Sequence, residues 1–453
     1  MSRRVLITGL GVVSACGLSA SALWEALAGG KSGLARISAF DPSGFPCGLG
    51  GEVRAAPGGA PADFSAKDYV PKSYRKSIKV MARDIELAVA AAKLAADDAK
   101  LATRGTLSEG QTTSSYPPTR MGCHIGAGLI AAEADELTSA LATSTADGRF
   151  SLSTWGSGDG GGGGMENLQP LWMLKYLPNM LACHVTIIHG TEGPSNTLLN
   201  AEASGLLSIG ESMRVIQRDA ADMGFAGSAE SKVSLMGVLR MDLAGRLAHS
   251  PPEADPFAVV RPFASDSLGG VVGEAGGIVV LEEEGTARAR GAQAYARISG
   301  FGAAHGPPAI PPLKGKAVSP EGLELAIRSA LKDAGATPET IDAVVPQGAG
   351  SPALDRAEAT AFRSVFGSRA ATLPLLVLAP FVGDSAAGSG GMQAAVGALA
   401  LRRQELPAGA IRRLDGSVSG DSRVSGGRGR IGRILVCSTG MGGQSAALVL
   451  DAV

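Results

Sequence analysis

The chain has 453 residues, 45% of them apolar and 18% charged, which is the composition of a globular protein able to bury a large core and is far from that of a disordered chain or a coiled coil. Its 41 basic and 42 acidic residues leave a net charge of -1, so no global field points to nucleic acid or to an anionic membrane surface. Five widely spaced cysteines without a C-x-x-C pair argue against a disulfide framework and a zinc knot. The five histidines show no metal-ligand spacing, and no metal or cofactor is expected.

In chain order, the first expected strand is Val5 to Thr8. The stretch through Cys16, broken by Gly9 and Gly11, reads as that strand and a turn, with Trp24 opening the next helix, rather than as a secretory leader. Further strands are expected over Met121 to Ile125, Ala221 to Ala226, Gly277 to Leu281, Ala294 to Phe301, Ile341 to Val345 and Arg433 to Cys437. Helices are expected over Ile85 to Ala99, Ala203 to Arg218, Pro320 to Ala334 and Ala357 to Phe366.

This alternation predicts an α/β protein with covered sheets. No apolar run reaches the ~18 residues of a membrane span, and a cytoplasmic protein is expected. Loops are expected over 105–118, over the glycine tract 160–164, over the Pro-rich connector 307–316 and over 415–429. The arginines of the last stretch, Arg423, Arg428, Arg430 and Arg433, form the best local basic patch for an acidic partner, though a solvated face explains them better. The helix DIELAVAAAKLAADDAK before RMGCHIGAG is echoed by PEGLELAIRSALKDAG before IDAVVPQGAG. Two similar halves are therefore expected, 1–250 and 251–453, the first carrying an insertion near 150–165.

Specific motifs follow one another along nearly the whole chain: RRVLITGLGVVSACG, MGCHIGAG, YLPNMLACHVTIIHGTEGPS, AADMGFAGSAES, RPFASDSLGGVVGEAGGIVVLEE, AVVPQGAGSPALDRAEATAFRSVFG, FVGDSAAGSGG and CSTGMGGQS. With them the chain resembles the β-ketoacyl-acyl-carrier-protein synthases, the elongating ketosynthases of fatty-acid and polyketide synthesis. The resemblance implies the thiolase fold, two βαβαβ halves in a five-layer αβαβα sandwich that dimerises edge to edge through its first half. It also implies decarboxylative condensation by a cysteine at a helix start, assisted by two histidines.

Those three positions are altered here. In GPSNTLLNAEASG, Glu202 stands where the resemblance places the cysteine; Gln347 in PQGAGSP takes the place of the first histidine, and Asp384 in GDSAAGSG that of the second. The lysine position before the second histidine holds Ala379, and the two phenylalanines of the last glycine turn become Thr439 and Met441. The frame around them persists in Gly193, Pro194, Asp355, Glu358, Gly390, Gly442 and Gly443. A carboxylate cannot take an acyl group from a thioester to give an equally activated intermediate, and Gln347 has no nitrogen that titrates near neutrality. Asp384, if ionised, repels the carboxylate and enolate that the histidine stabilises.

Condensation by this chain alone is therefore expected to be absent. The resemblance implies a chain length factor, the partner of an active ketosynthase subunit, although such partners usually carry Gln at the cysteine position. Leu129 after the glycine turn 126–128, with Trp172 and Met180, would then shape an acyl tunnel, and Thr439 and Met441 would stand at its gate; plain core packing is the alternative for each. A second reading makes Glu202 and Asp384 a carboxyl pair, one acid and one base, in a malonyl-carrier-protein decarboxylase or other acyl-carrier enzyme. Against it, Glu202 at a helix start can simply satisfy backbone N–H groups. A third reading is a homodimeric scaffold that binds acyl carrier protein.

Overall fold

The computed structural model describes residues 3–56, 59–60, 63–107, 113–156, 162–251, 253–418 and 430–453. Arg423, Arg428 and parts of the loops expected over 105–118, 160–164 and 415–429 lie outside the described residues.

The first half is built from β1 (Val5–Ser14), α1 (Ala20–Gly29), α2 (Arg83–Asp98), β2 (Met121–Ala127), α3 (Met180–His189), β3 (Ser195–Leu198), α4 (Ser204–Gln217), β4 (Met223–Ser231), α5 (Leu235–Leu243) and β5 (Val272–Glu283). The second contains β6 (Ala296–His305), α6 (Glu321–Asp333), β7 (Ala343–Val345), α7 (Pro352–Phe366), β8 (Leu375–Leu376), α8 (Ser389–Arg403), β9 (Ile411–Arg412), β10 (Arg433–Thr439) and β11 (Gln444–Asp451). Between β2 and α3 lie a helix, Ala134–Thr143, and a two-stranded hairpin pairing Thr145 with Phe150.

Sheet order is β9-β8-β7-β10-β11-β6-β1-β5-β4-β2-β3. In the first half β2 pairs parallel with β3 and β4, and β5 pairs antiparallel with β4 and β1; in the second, β7 pairs parallel with β8 and β10, and β11 antiparallel with β10 and β6. The two patterns are the same. They join where β1 and β6 pair antiparallel, Val5 opposite Ile298. A division at residue 250 falls before β5, whose partners are β1 and β4, so strand pairing begins its second copy at β6.

Side-chain alternation sorts the core into layers. On β5, Val279 and Leu281 enter a central core while Ile278 and Val280 enter one covered by α2 and α3; on β10, Ile434 and Val436 face the central core while Leu435 and Cys437 face α6 and α7. Helices α4 and α8 fill the centre. The result is helix, sheet, helix, sheet, helix: the thiolase-type five-layer arrangement.

Two sequence expectations change. Strand β1 runs unbroken through Gly9 and Gly11, because these glycines admit α2: a Cβ on Gly11 would sit 1.8 Å from the Ala91 carbonyl oxygen, and one on Gly9 2.4 Å from that of Ala95. Glycine here marks close packing rather than a break. Trp24 lies in the middle of α1, which starts at Ala20 with Ser19 as its N-cap, the Ser19 side chain accepting from the Ala22 N–H.

At the centre the two buried helices cross at small residues. A Cβ on Gly205 would come within 2.8 Å of the Gly390 Cα, so both positions must lack a side chain for α4 and α8 to meet. That contact brings together the turns preceding each helix. Glu202 lies in one, and Asp384 stands two residues before the other.

Candidate functional site

Glu202 occupies a short 3-10 turn, Ala201–Ala203, immediately before α4. Ala201 takes a left-handed φ of 48°, and Ala386, two residues after Asp384, a φ of 45°. Left-handed backbone costs a non-glycine residue about 1–2 kcal/mol, so both turns are held by their surroundings. Asp384 is fixed on the strand that leads into β5: its N–H donates to the Val271 carbonyl at 2.7 Å, and its carbonyl accepts from the Gly273 N–H at 3.0 Å.

Arg246 joins these two residues. It follows α5 and the left-handed Gly245, and its carbonyl accepts from the Gly270 N–H at 2.8 Å, a few residues from where Asp384 is anchored. Its Nη1 donates to Glu202 Oε1 at 2.6 Å and its Nη2 to Asp384 Oδ2 at 2.5 Å. All three side chains are buried. Burial alone would raise the pKa of Glu202, but the Arg246 charge, the backbone N–H at the turn and the guanidinium hydrogen bond hold it below the ordinary value. Burial works against the Arg246 charge, and the two carboxylates outweigh it and hold the guanidinium protonated. Asp384 Oδ1 accepts from the Ala386 N–H at 2.9 Å, completing its turn.

The triad forms one wall of a cavity of about 430 Å³, lined also by Leu129, Leu199, Met241 and Met441 and by the ion pair Lys232–Glu230. Glu230 Oε2 accepts from the Ala387 N–H at 2.8 Å, tying the pair to the Asp384 turn. Behind it, the fully buried Asp84 accepts from the Ser231 N–H, and its carboxyl is pushed up to about 7 by burial and by the Glu230 charge.

Gln347 belongs to a different network and does not line this cavity. Its backbone N–H and that of Gly348 donate to the two oxygens of Glu358, at 2.8 and 2.9 Å. The Ser438 hydroxyl lies 2.6 Å from Gln347 Oε1 and 2.7 Å from the Glu202 carbonyl oxygen. One O–H cannot donate to both acceptors, and the set is complete when the Gln347 amide nitrogen faces Ser438. Burial raises Glu358 to about 7, against the two N–H groups that favour its charge.

The structure thus brings Glu202 and Asp384 together through an arginine and sets Gln347 apart. Leu129, 62% exposed, stands at the cavity rim and Met441 in its wall, whereas Thr439 bonds Ser445 across β10 and β11 outside it. Trp172 and Met180 do not line it either. Glu202 finds its main partner in a side chain, not in the helix N–H groups that sequence reasoning gave it. Arg246 went unnoticed because it lies between recognisable motifs; the signal that finds it is the need of two buried carboxylates for a cation. His184 and His189 are buried and bonded through Nδ1 to the Tyr74 and Thr103 hydroxyls. No group of side chains suited to hold a metal ion occurs among the described residues, and no described helix is long and apolar enough to cross a membrane.

Comparison with known proteins agrees with this architecture. The family profile for the N-terminal domain of beta-ketoacyl synthase matches residues 2–287, and that for the C-terminal domain residues 295–410. The chain belongs to the beta-ketoacyl synthase family. It is 30% identical to 3-oxoacyl-[acyl-carrier-protein] synthase 2 of Coxiella burnetii, over 89% of this chain and 87% of that protein. It is equally 30% identical to the actinorhodin polyketide putative beta-ketoacyl synthase 2 of Streptomyces coelicolor, over 88% of this chain and 86% of that one. Among solved structures, the ishigamide ketosynthase/chain length factor superposes over the whole of both chains with a TM-score of 0.78 at 25% identity.

Proposed function

We propose that this chain does not condense acyl units and acts as the chain-length-factor-like partner of an active ketosynthase subunit that is served by an acyl carrier protein. One observation carries the reading: the side chain at the nucleophile position is a buried carboxylate clamped by Arg246, which also clamps the residue at the second histidine position. An ionised, paired carboxylate neither accepts an acyl group nor supplies a proton. The same guanidinium weakens the reading of Glu202 and Asp384 as an acid and base pair, because it binds both carboxyls and holds Glu202 below the ordinary carboxylate value.

The surface supports the partner role. Strand β3 is an edge of the sheet, and nine of the eighteen exposed large apolar side chains among the described residues fall from Leu129 to Leu199, the stretch of chain that leads to this strand and leaves it. An open edge with apolar flanks is a surface that natural proteins cover. An active ketosynthase subunit is the proposed cover.

Co-expression with such a subunit tests this. A stable heterodimer that makes ketoacyl product, beside an isolated chain that makes none, is expected. A self-sufficient homodimer that ignores every ketosynthase overturns the partner role, and carbon dioxide released from malonyl-carrier protein by the wild type but not by Glu202→Ala overturns the non-catalytic reading. Glu202→Cys alone is expected to yield no condensation, since Gln347, Asp384 and Arg246 remain.

A further inference from the structure

Of the last basic stretch of the sequence, Arg430 and Arg433 lie within the described residues, and the fold adds two distant arginines to them. Strand β10 starts at Arg433 and runs to Thr439, and its Ser438 bonds the Glu202 carbonyl, so Arg433 stands about 17 Å along the strand from that contact. At this far end a cavity of about 440 Å³ is lined by Arg288, Arg297, Arg430 and Arg433, with Glu284, Asp451 and Val453. Arg288 comes from the short helix Glu284–Ala289 and Arg297 from β6. Backbone bonds fix the floor: the Glu284 N–H donates to the Arg4 carbonyl and the Ala452 N–H to the Gly432 carbonyl, both at 2.9 Å. Asp342 Oδ2 accepts from the N–H groups of Gly432 and Arg433 at 2.7 and 2.9 Å, which sets where both terminal arginines stand.

Carboxylates are too few for these cations. Arg433 Nε donates to Asp451 Oδ1 and Arg297 Nη2 to Asp451 Oδ2, both at 2.6 Å. Glu284 is likewise shared, by Arg288 at 2.7 Å and Arg4 at 3.4 Å. Arg430 is exposed and forms no ion pair among the described residues. With the carboxylate of Val453 counted, the five guanidinium groups of Arg4, Arg288, Arg297, Arg430 and Arg433 meet three carboxylates. Arg288 and Arg297 each use one of five N–H donors on a carboxylate, which leaves the others free.

We propose that this cavity is a binding site for a compact anion that carries two linked phosphates. Guanidinium forks match phosphate oxygens in pairs, and free donors on several arginines around one depression can hold both phosphates at once. The volume falls within the ~300–1,000 Å³ of small-molecule sites, which favours a compact ligand over the surface of an acidic protein. Because the site lies at the other end of β10 from Glu202, it stands whether or not this chain partners a ketosynthase.

Titration calorimetry on the full chain near neutral pH compares inorganic pyrophosphate with citrate, of similar charge, and with a hexaglutamate peptide. The wild type is expected to bind one pyrophosphate, at least tenfold more tightly than citrate or the peptide. Arg288→Ala with Arg430→Ala is expected to weaken pyrophosphate at least tenfold. Arg75→Ala with Lys76→Ala removes as much charge from another exposed stretch and is expected to leave the affinity unchanged. Where the first pair of substitutions disturbs folding, Arg297→Lys keeps the charge, loses the fork and is expected to weaken binding severalfold. ADP tighter than pyrophosphate identifies a nucleotide as the source of the diphosphate, and ADP weaker identifies the inorganic ion. No binding of pyrophosphate, equal or tighter binding of citrate or of the peptide, or the same loss in both double variants overturns the proposal.

Discussion

The two sides of the site hold their polar groups differently. At Glu202 and Asp384 the side chains are buried carboxyls, and one guanidinium, on Arg246, binds both. At Gln347 the side chain is neutral and rests on a network of Ser438, the Glu202 carbonyl and Glu358 without a cation. Charge placed in a core must come with its partner, while a neutral amide can use hydrogen bonds that the backbone already offers.

The sharpest way to break this contrast is Arg246→Met, which strands two buried carboxylates. A loss of about 3–5 kcal/mol in unfolding free energy is expected in urea titration. Adding Glu202→Gln and Asp384→Asn to that variant should recover most of the loss, because a neutral set needs no cation. No recovery would mean that the arginine acts through packing rather than charge.

Next in size is Gly205→Val, which forces side-chain atoms against the Gly390 backbone. A loss of about 1–3 kcal/mol is expected, or insoluble protein, from overpacking where the two central helices cross. The change would disturb both sides of the site at once, whereas Arg246→Met touches only the charged one.

Asp84→Asn probes the charge behind the Lys232–Glu230 pair. The Asp84 carboxyl is raised from 3.8 to about 7, so between these values the folded chain keeps a proton that the unfolded chain has released. Its stabilising contribution is full below the unfolded value and is lost as pH rises through about 7. The unfolding free energy of Asp84→Asn relative to wild type, measured in urea, is therefore expected to climb from pH 5 to pH 8, by at most about 1.4 kcal/mol for each unit of displacement. A flat difference would show that Asp84 is already ionised at pH 5.

The smallest effect is expected on the neutral side. Ser438→Ala removes the hydroxyl that links Gln347 to the Glu202 carbonyl and should cost about 1–2 kcal/mol, without the pH dependence of the charged variants.

Much of this molecule was legible in the sequence. The strands that read as β-branched runs are present, and most extend beyond the expected bounds, as β5 does to Val272–Glu283. Other elements gave no periodic signal. Helix α8 is buried on all sides from Ser389 to Leu401, so its composition is small and apolar throughout and has no polar face to mark a helical repeat. Strand β11, buried from Ser445 to Asp451, follows a glycine turn that drew attention to itself. At the site, motif spacing located Glu202, Gln347 and Asp384, but it could not tell which of them touch. That depends on Gly205 meeting Gly390 and on where Arg246 is anchored beside β5.

The Arg246 bridge also constrains the order in which such a site can change. Losing either carboxylate leaves the arginine one partner, losing both strands it, and losing the arginine first strands both carboxylates. With a typical domain only about 5–15 kcal/mol more stable than its unfolded chain, the stranded states are narrow passages. Exchange of Glu202 and Asp384 for uncharged side chains by single steps therefore has to replace the arginine together with the second carboxylate.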